Sequence, residues 1–537
     1  MRTEENRQVL PPDGEAGATA VGGRFDILRG NNFKRVHDSY QDVGPPRSPA
    51  QSDHALQDAA AASPQKQSKR FVPSSLRFLI ALDVTLICLG QTLVLGDLHQ
   101  RLFLNGAGQI ATVILLSLIL TMGSVYASGC YRRDSLVRFS SAISPLAVAI
   151  GLAAALLIAV MHFALASIFP HSEVYRSVSR CFTIALLMTA MALPICTVNR
   201  ASYFAMVRRH WFARRVLVVG SGTRAAYLQS LLNSDAHRAH SELTFAPESV
   251  LGGEPPKNQK ITDVLPDTGR ALEDIAHEVQ ADEVVIAVDE KRGLAIERLL
   301  SCKTSGIPVI EYDALIERET GRIDLRWLEL SWLVYSPGFE IKILDSILKR
   351  SLDLAISAGM LVISLPAVLL AILAIKAEDG GPAFYRQTRV TQGGRQFWIY
   401  KLRTMRVDAE VQGAQWAAKN DSRTTQVGSF LRKSRIDEIP QLWNVLCGEM
   451  SLVGPRPERP VFIEQLSKQI PMYNFRHGVK AGLTGWAQIN YPYGASIEDA
   501  RAKLEYDLYY MKNYSVLRDL SIILQTFRIL IWHVGAR

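Results

Sequence analysis

The sequence predicts a membrane protein of mixed α and α/β class: four transmembrane helices, a Rossmann-like cytoplasmic domain, and a C-terminal domain anchored by a re-entrant helix. Three observations predict it. Four long apolar stretches crowd residues 71–198, a β-branched strand runs into the turn Gly220-Ser221-Gly222, and a fifth apolar stretch carries Pro366 at its middle and basic residues at both ends. At 537 residues the chain is longer than one hydrophobic core usually serves, which excludes a single small binding module. Sixty Lys and Arg against 51 Asp and Glu leave a net charge of +9, compatible with nucleic acid, acidic lipid or a phosphorylated substrate. The six cysteines form no CxxC pair and three lie in apolar runs, so neither a zinc ribbon nor a disulfide framework is indicated.

Residues 1–70 are rich in Pro, Gly, Gln, Ser, Asp and Ala and read as a disordered cytoplasmic tail, too polar for a signal peptide. The transmembrane region comes next, over 71–200, with spans at 76–96, 107–128, 141–168 and 181–198. Each approaches or exceeds the roughly 20 residues that cross a bilayer. Buried core helices are the alternative, but four such runs leave too little polar surface to cover them. Basic residues gather before the first span (Lys66, Lys69, Arg70, Arg77), between the second and third (Arg132, Arg133, Arg138) and after the fourth (Arg200, Arg208, Arg209, Arg214, Arg215). The positive-inside rule then puts the tail and everything after residue 200 in the cytoplasm.

Over 210–335, RRVLVVGSGTRAAYLQSLL has the form of the first βα turn of a doubly wound sheet, and ADEVVIAVDE and GIPVIEY supply further short buried strands. Gly220 and Gly222 are the candidate cofactor-binding residues. The fingerprint is GxGxxA, and no acidic residue closes a clear second strand about 20 residues on; Glu248 comes later, after Pro247. A dinucleotide site and a nucleotide-fold module kept for packing, regulation or assembly both remain open.

The fifth apolar stretch, within 350–375, is long enough to cross, reaching roughly 36 Å as a straight helix. Crossing would carry a strongly basic C-terminal third out of the cytoplasm, however, and Pro366 removes a backbone donor where a bend is wanted. A re-entrant helix that enters and leaves on one face is expected, with a straight span as the alternative. Beyond it, 382–387 and 396–403 read as a hairpin turning at Gly393-Gly394, delivering Lys401 and Arg403 beside Asp408 and Glu410 at an expected helix start. Such a place can hold a phosphate by N–H groups and arginine forks, while an ionised aspartate attacks phosphorus. A solvated, salt-bridged helix start is the plainer reading of that cluster alone.

Further motifs occur in order: NDSR at 420–423, LRKSRIDEIPQLWN at 431–444, MSLVGPRPE at 450–458 and KAGLTGWAQ at 480–488. With these the chain resembles the bacterial sugar transferase family, the monotopic-type polyprenyl-phosphate hexose-1-phosphate transferases, over about 340–537. The preceding spans and α/β domain are similar to its large, multi-domain exopolysaccharide-type branch. The resemblance implies transfer of a hexose 1-phosphate from a UDP-sugar to undecaprenyl phosphate, release of UMP, and Mg²⁺ as cofactor. It implies Asp408 as the nucleophile of a covalent phosphosugar-enzyme and Arg403 as a clamp on the diphosphate. Short family members carry an adjacent Asp-Glu pair where this chain has Asp408-Ala409-Glu410, so a carboxylate from Glu438, Asp437 or Asp507 is the alternative helper. Lys401, Arg423, Arg432, Arg456 and Asp437 are expected to bind substrate, and Asp408 and Asp507 to face the metal. The implied partners are the UDP-sugar, undecaprenyl phosphate and inner-leaflet lipid, with a second copy of the chain and polysaccharide assembly proteins as further candidates; no motif supports nucleic acid. Two rivals stand beside this reading. One is a membrane-tethered nucleotide-sugar oxidoreductase or dehydratase, which lacks a Tyr-x-x-x-Lys pair after the strands. The other is a non-enzymatic scaffold, which leaves the Arg403–Asp408 cluster unexplained.

Overall fold

A computed structural model of the chain describes residues 75–98, 107–131, 139–165, 167, 177–209, 211–232 and 241–532, apart from 257, 258, 262, 268, 329, 410–420, 493 and 495. The tail expected at 1–70 lies outside these residues, as does Glu410. Five helices come first: α1 (Ser75–Leu98), α2 (Ala107–Ala127), α3 (Phe139–Ala159), α4 (Val178–Ala190) and α5 (Ala192–Arg208). They are apolar outside as well as inside: Leu79 and Leu157 are fully buried, while Leu93 and Ile119 are 65% and 57% exposed. A helix apolar all round belongs in lipid or in the core of a large protein. Among the described residues, length and composition suffice for a crossing in five places: Leu76–Leu95, Gly108–Ala127, Pro145–Phe163, Ser179–Arg208 and Ile343–Asp379.

The fourth of these is longer than the expected 181–198 and is interrupted at Met191. The Pro194 ring would strike the carbonyl of Ala190, four residues back, so one helix ends there and Pro194 falls in the first turn of the next. The helix then continues past Arg200, which sequence reading places at the membrane surface. Arg200 is instead buried and pairs with the buried Asp83 of α1 at 3.0 Å. Asn199 Nδ2 and the Tyr131 hydroxyl donate to the same carboxylate at 2.7 and 2.6 Å.

The next segment alternates β1 (Arg214–Val219), α6 (Thr223–Leu232), β2 (Ser241–Ala246), α7 (Leu272–Glu278), β3 (Glu283–Ile286), α8 (Ile296–Thr304), β4 (Val309–Glu311) and α9 (Tyr312–Thr320). The strands form one parallel sheet in the order β2-β1-β3-β4. Successive residues of β1 point to opposite faces and both faces are covered: Val216 and Val218 pack with Leu228 and Tyr312, Leu217 and Val219 with Leu272 and Val284. Burial on both sides is why these strands read as unbroken apolar runs. After a short helix α10 (Leu330–Tyr335) comes α11 (Ile343–Asp379), 37 residues long and about 55 Å if straight.

Helix α11 is assigned as one helix through Pro366, and its burial pattern is discontinuous. Lys349, Asp353 and Ser357 are buried at four-residue spacing, then Ala371 and Ile375; the residues between are not. Val362 and Ile363 there are 74% and 81% exposed. Both ends dock on the same domain. Near the start, Lys349 Nζ donates to the Val453 carbonyl at 3.0 Å and pairs with Asp519, Arg350 donates to the Val445 and Leu446 carbonyls, and the Asp353 carboxylate accepts from Leu452 N–H at 3.0 Å. Near the end, Ala371 and Ile375 pack with Ala383, Leu402 and Leu431.

That domain contains the hairpin β5 (Phe384–Val390) and β6 (Gln396–Leu402), then α12 (Gln426–Ser434), α13 (Gln441–Cys447), β7 (Ser451–Val453), α14 (Pro460–Gln469), β8 (Gly482–Thr484), α15 (Trp486–Asn490), α16 (Ile497–Lys512) and α17 (Val516–Trp532). The hairpin pairs Phe384 with Leu402 and turns at Gly393-Gly394, where the sequence puts it. One core joins Ile399, Leu442, Val445, Leu452, Leu504 and Leu508. Side-chain contacts tie the domain to its neighbours, among them two hydrogen bonds. The Tyr126 hydroxyl at the end of α2 lies 2.6 Å from the Ser521 hydroxyl on α17, and Trp486 Nε1 donates to the Gly321 carbonyl beyond α9 at 2.7 Å.

Candidate active site

Strand β6 ends at Leu402, and the chain after it is pinned residue by residue. Arg403 N–H donates back to the Ala383 carbonyl, Thr404 O accepts from Thr425 N–H at 3.1 Å, and Arg406 N–H donates to the Arg423 carbonyl at 2.9 Å. Met405 and Thr424 thereby form a small antiparallel bridge. Ala409 N–H closes on the Arg406 carbonyl at 3.2 Å, making a turn with Val407 and Asp408 at its centre. Asp408 is exposed there, beside a Val407 that is 70% exposed. The described residues show a turn at 407–409 where a helix start is expected, and residues 410–420 lie outside them.

Two arginines hold this turn. Arg423 donates Nε and one terminal nitrogen to Asp421 at 2.8 and 2.6 Å, and its other terminal nitrogen to the Ala409 carbonyl at 3.3 Å. The fork holds the Asp421 carboxyl down at about 2, against a small opposing effect of burial. Arg432, on α12, donates to the Thr404 and Thr424 hydroxyls at 2.9 and 3.2 Å, stapling the two sides of the bridge. Thr425 caps α12 by accepting from Gly428 N–H at 3.0 Å. A side chain at 428 would run into the Thr404 backbone, so glycine is what lets α12 approach.

Arg403 itself is turned away from this surface. It is 7% exposed and gives both terminal guanidinium nitrogens to Asp379, the last residue of α11, at 2.8 Å for NH1. The pair joins the membrane-type helix to the strand that leads into the Asp408 turn.

A second cluster forms where α12 ends. Arg435 takes φ +58, and the short 3₁₀ turn Ile436–Glu438 comes directly after it. Glu438 accepts from Lys401 Nζ at 3.1 Å and Arg456 at 2.9 Å, with Arg435 at 3.7 Å. Burial pushes Glu438 up, but these three cations outweigh it and hold it well below the usual carboxylate range. Burial and the Glu438 charge push its neighbour Asp437 the other way, and the Asp437 Oδ1 atom has no hydrogen-bond partner among the described residues. Lys401 is lowered by burial, with Glu438 opposing. Two carboxylates one residue apart thus differ in proton affinity, a pattern that separates acid from base roles.

Arg456 is presented by its backbone as well. Arg476 donates to the Arg456 carbonyl at 3.2 Å and to Asp507 at 2.8 Å, and Tyr473 accepts a third bond at 2.6 Å. Asp507 is 2% exposed and raised to about 6 by burial, with Arg476 opposing. Its carboxylate faces an arginine rather than an open cavity. Among the described residues no three His, Cys, Asp or Glu side chains gather as metal ligands.

The structure therefore brings Lys401, Asp437, Glu438 and Arg456 together, sets Arg423 and Arg432 behind the Asp408 turn, and separates Arg403 and Asp507 from both groups as buried struts. Sequence reasoning missed Asp379, Asp421, Arg435 and Arg476. The two-residue spacing of Asp421 and Arg423 was a usable signal; nothing local marks Asp379 as a partner of Arg403.

The bacterial sugar transferase family matches residues 344–533, a stretch that takes in the Asp408 turn and the Glu438 cluster. The chain is 40% identical over 245 residues to a UDP-N-acetylgalactosamine-undecaprenyl-phosphate N-acetylgalactosaminephosphotransferase of Aeromonas hydrophila, covering 45% of this chain and 56% of that protein. It is 44% identical over 180 residues to a UDP-glucose:undecaprenyl-phosphate glucose-1-phosphate transferase of Caulobacter vibrioides, covering 33% of this chain and 67% of the relative. It is 38% identical over 192 residues to the exopolysaccharide production protein PSS of Rhizobium leguminosarum, covering 34% of this chain and 94% of that one. The matched stretch thus spans little more than half of the Aeromonas protein and nearly all of the Rhizobium one. With motifs, turn and cationic cluster all inside the matched stretch, the chain belongs to the bacterial sugar transferase family.

Proposed function

We propose that this protein transfers a hexose 1-phosphate from a UDP-sugar to undecaprenyl phosphate on the cytoplasmic face of the bacterial inner membrane, as the first membrane step of exopolysaccharide or O-antigen synthesis. In this reading α1 to α5 supply four crossings, the α/β domain is Rossmann-like, and α11 enters and leaves one leaflet. The observation that carries the proposal is the placement of Asp408. It stands exposed on a turn clamped by Arg423 and Arg432, five residues beyond the Arg403 that holds the end of a helix too apolar for water. A nucleophile that must meet one water-soluble and one lipid-bound substrate needs that position.

An oxygen of the Asp408 carboxylate attacks the sugar-proximal phosphorus of the UDP-sugar. The bond from that phosphorus to the bridging oxygen breaks, and UMP leaves with the electron pair. A phosphate oxygen of undecaprenyl phosphate then attacks the same phosphorus, expelling Asp408 and forming the lipid diphosphate sugar. Lys401, Arg435 and Arg456 supply positive charge for the diphosphate, and Glu438 keeps those three side chains ordered until substrate arrives. Asp437, with its raised proton affinity, serves as the proton-carrying partner. Arg403 and Asp507 act as positioning residues, through Asp379 and through Arg476. The activities of the relatives, with UDP-N-acetylgalactosamine and UDP-glucose as donors, support the reading.

Purified membranes incubated with undecaprenyl phosphate and UDP-glucose, UDP-galactose or UDP-N-acetylgalactosamine should release UMP with at least one donor. Asp408→Asn should lower that release by ~10³-fold or more while the protein remains inserted, the scale expected when a nucleophile is lost. Turnover unchanged in the variant refutes the nucleophile assignment.

A further inference from the structure

The α/β domain carries the glycine turn of a dinucleotide-binding fold, yet the proposed transfer gives that turn no task. In a working site the turn between β1 and α6 offers N–H groups and a helix end to a diphosphate, and glycine leaves room for it. Here three of those donors, the N–H groups of Ser221, Thr223 and Arg224, are already used. Thr223 N–H and hydroxyl both donate to Asp289 Oδ2 at 2.8 Å, and Arg224 N–H donates to Asp289 Oδ1 at 3.0 Å. Two residues before Thr223, Ser221 N–H and hydroxyl donate to the two Glu248 oxygens at 2.7 and 3.0 Å. The place kept open by Gly222 is filled as well, since a side chain at 222 would collide with the Asp289 carboxylate.

The crevice is also roofed. Lys260 and Ile261 N–H groups reach the Ser221 carbonyl at 2.8 and 3.2 Å, and Gly220 and Ser221 are buried. Arg224, whose guanidinium would suit a phosphate, folds back with NH1 toward the Val288 carbonyl at 3.4 Å. Burial pushes Asp289 up, but the helix-end N–H groups and the Thr223 hydroxyl outweigh it and keep it below the usual carboxylate range. An anion therefore sits at the helix end at neutral pH, where a second would meet like charge and find the Ser221, Thr223 and Arg224 N–H groups already taken.

We infer that this domain is closed to dinucleotides: its own Asp289 and Glu248 carboxylates take the hydrogen bonds that the Gly220-Ser221-Gly222 turn would give a diphosphate, and the glycines serve that internal fit. The domain then works as a fixed spacer. Glu317 of α9 holds Lys512 at the end of α16 and Asn513 just after it, and Arg322 pairs with Glu505 at 3.1 Å, fastening it to the C-terminal domain.

Hydrogen–deuterium exchange of the peptide covering 215–232, followed in the full chain in detergent, reads the turn locally and is blind to diphosphates bound elsewhere. NAD⁺, NADH, FAD and inorganic pyrophosphate should leave the wild-type peptide unchanged up to ~1 mM, a generous ceiling for a specific cofactor. Asp289→Ala should speed exchange at Thr223 and Arg224 about fivefold or more, the scale of losing a helix cap. Protection of the wild-type peptide by any of the four probes overturns the inference, as does wild-type exchange in Asp289→Ala. The wild-type titration decides the matter even if that variant fails to fold.

Discussion

Arg403 gives both terminal nitrogens of its guanidinium to Asp379, and that fork decides between two roles for the residue. A diphosphate clamp would lose substrate affinity in Arg403→Lys and leave Asp379→Asn with a normal KM. A strut predicts that both variants lose thermal stability, that they share the same kinetic defect, and that the double variant is little worse than either. The sequence could place Arg403 near Asp408 because they are close in the chain, but its partner lies 24 residues earlier on a different element. The cluster around Glu438 was more legible, since Lys401, Asp437 and Arg456 all sit in ordered polar motifs, whereas Arg476 reads as an ordinary basic residue until its burial is known. His477, next to it, makes a pH prediction. Burial, and then the Arg476 charge, lower its pKa from 6.5 to about 4. The folded protein holds the neutral imidazole, so this contribution to stability is full above pH 6.5 and is lost as pH falls toward 4. Thermal unfolding of His477→Gln between those pH values should show a shallower decline than wild type; identical slopes would mean the imidazole is not held neutral.

Helix α11 is fixed at its start by Lys349, whose ammonium is buried among the Val453 carbonyl, the Tyr510 hydroxyl and Asp519. Lys349→Met leaves Asp519 buried without its cation and should cost about 3–5 kcal/mol, whereas adding Asp519→Leu should recover much of it. Thermal stability in detergent measures both; a double variant no better than the single would mean the pair does more than neutralise itself. Elements with a local cause were the ones the sequence showed well. Alternation and the Gly393-Gly394 turn mark the hairpin, and apolar length marks the spans. Helix α5 runs on to Arg208 for a reason that is not local: Asn199 and Arg200 find Asp83, 116 and 117 residues away, and so bury where polar residues normally end a span. The Asp408 segment likewise forms a turn because Thr424, Arg423 and Arg432 hold it, a constraint absent from its own residues.

At the scale of the molecule, the start of α1, the end of α2 and the end of α5 share one side of the bundle. Phe78 packs on Phe212 with ring centres 5.6 Å apart, and Tyr126 meets Ser521 of the C-terminal domain. That domain also holds both ends of α11 while the exposed apolar middle leaves it, an arrangement suited to a helix that dips into one leaflet and returns. In the proposed re-entrant reading both anchors, Asp379 on Arg403 and Lys349 on Asp519, stay within one domain. Basic residues at both ends of the stretch are the sequence's argument for this proposed topology, and the docking of both helix ends on one domain is the structural observation that supports it. Single cysteines at Glu340→Cys and Lys376→Cys, in a chain whose exposed Cys447 is replaced by serine, test it with a membrane-impermeant maleimide on sealed inverted vesicles and on intact spheroplasts. Both positions should react in the inverted vesicles and neither in the spheroplasts; reaction of one on each side would contradict the account.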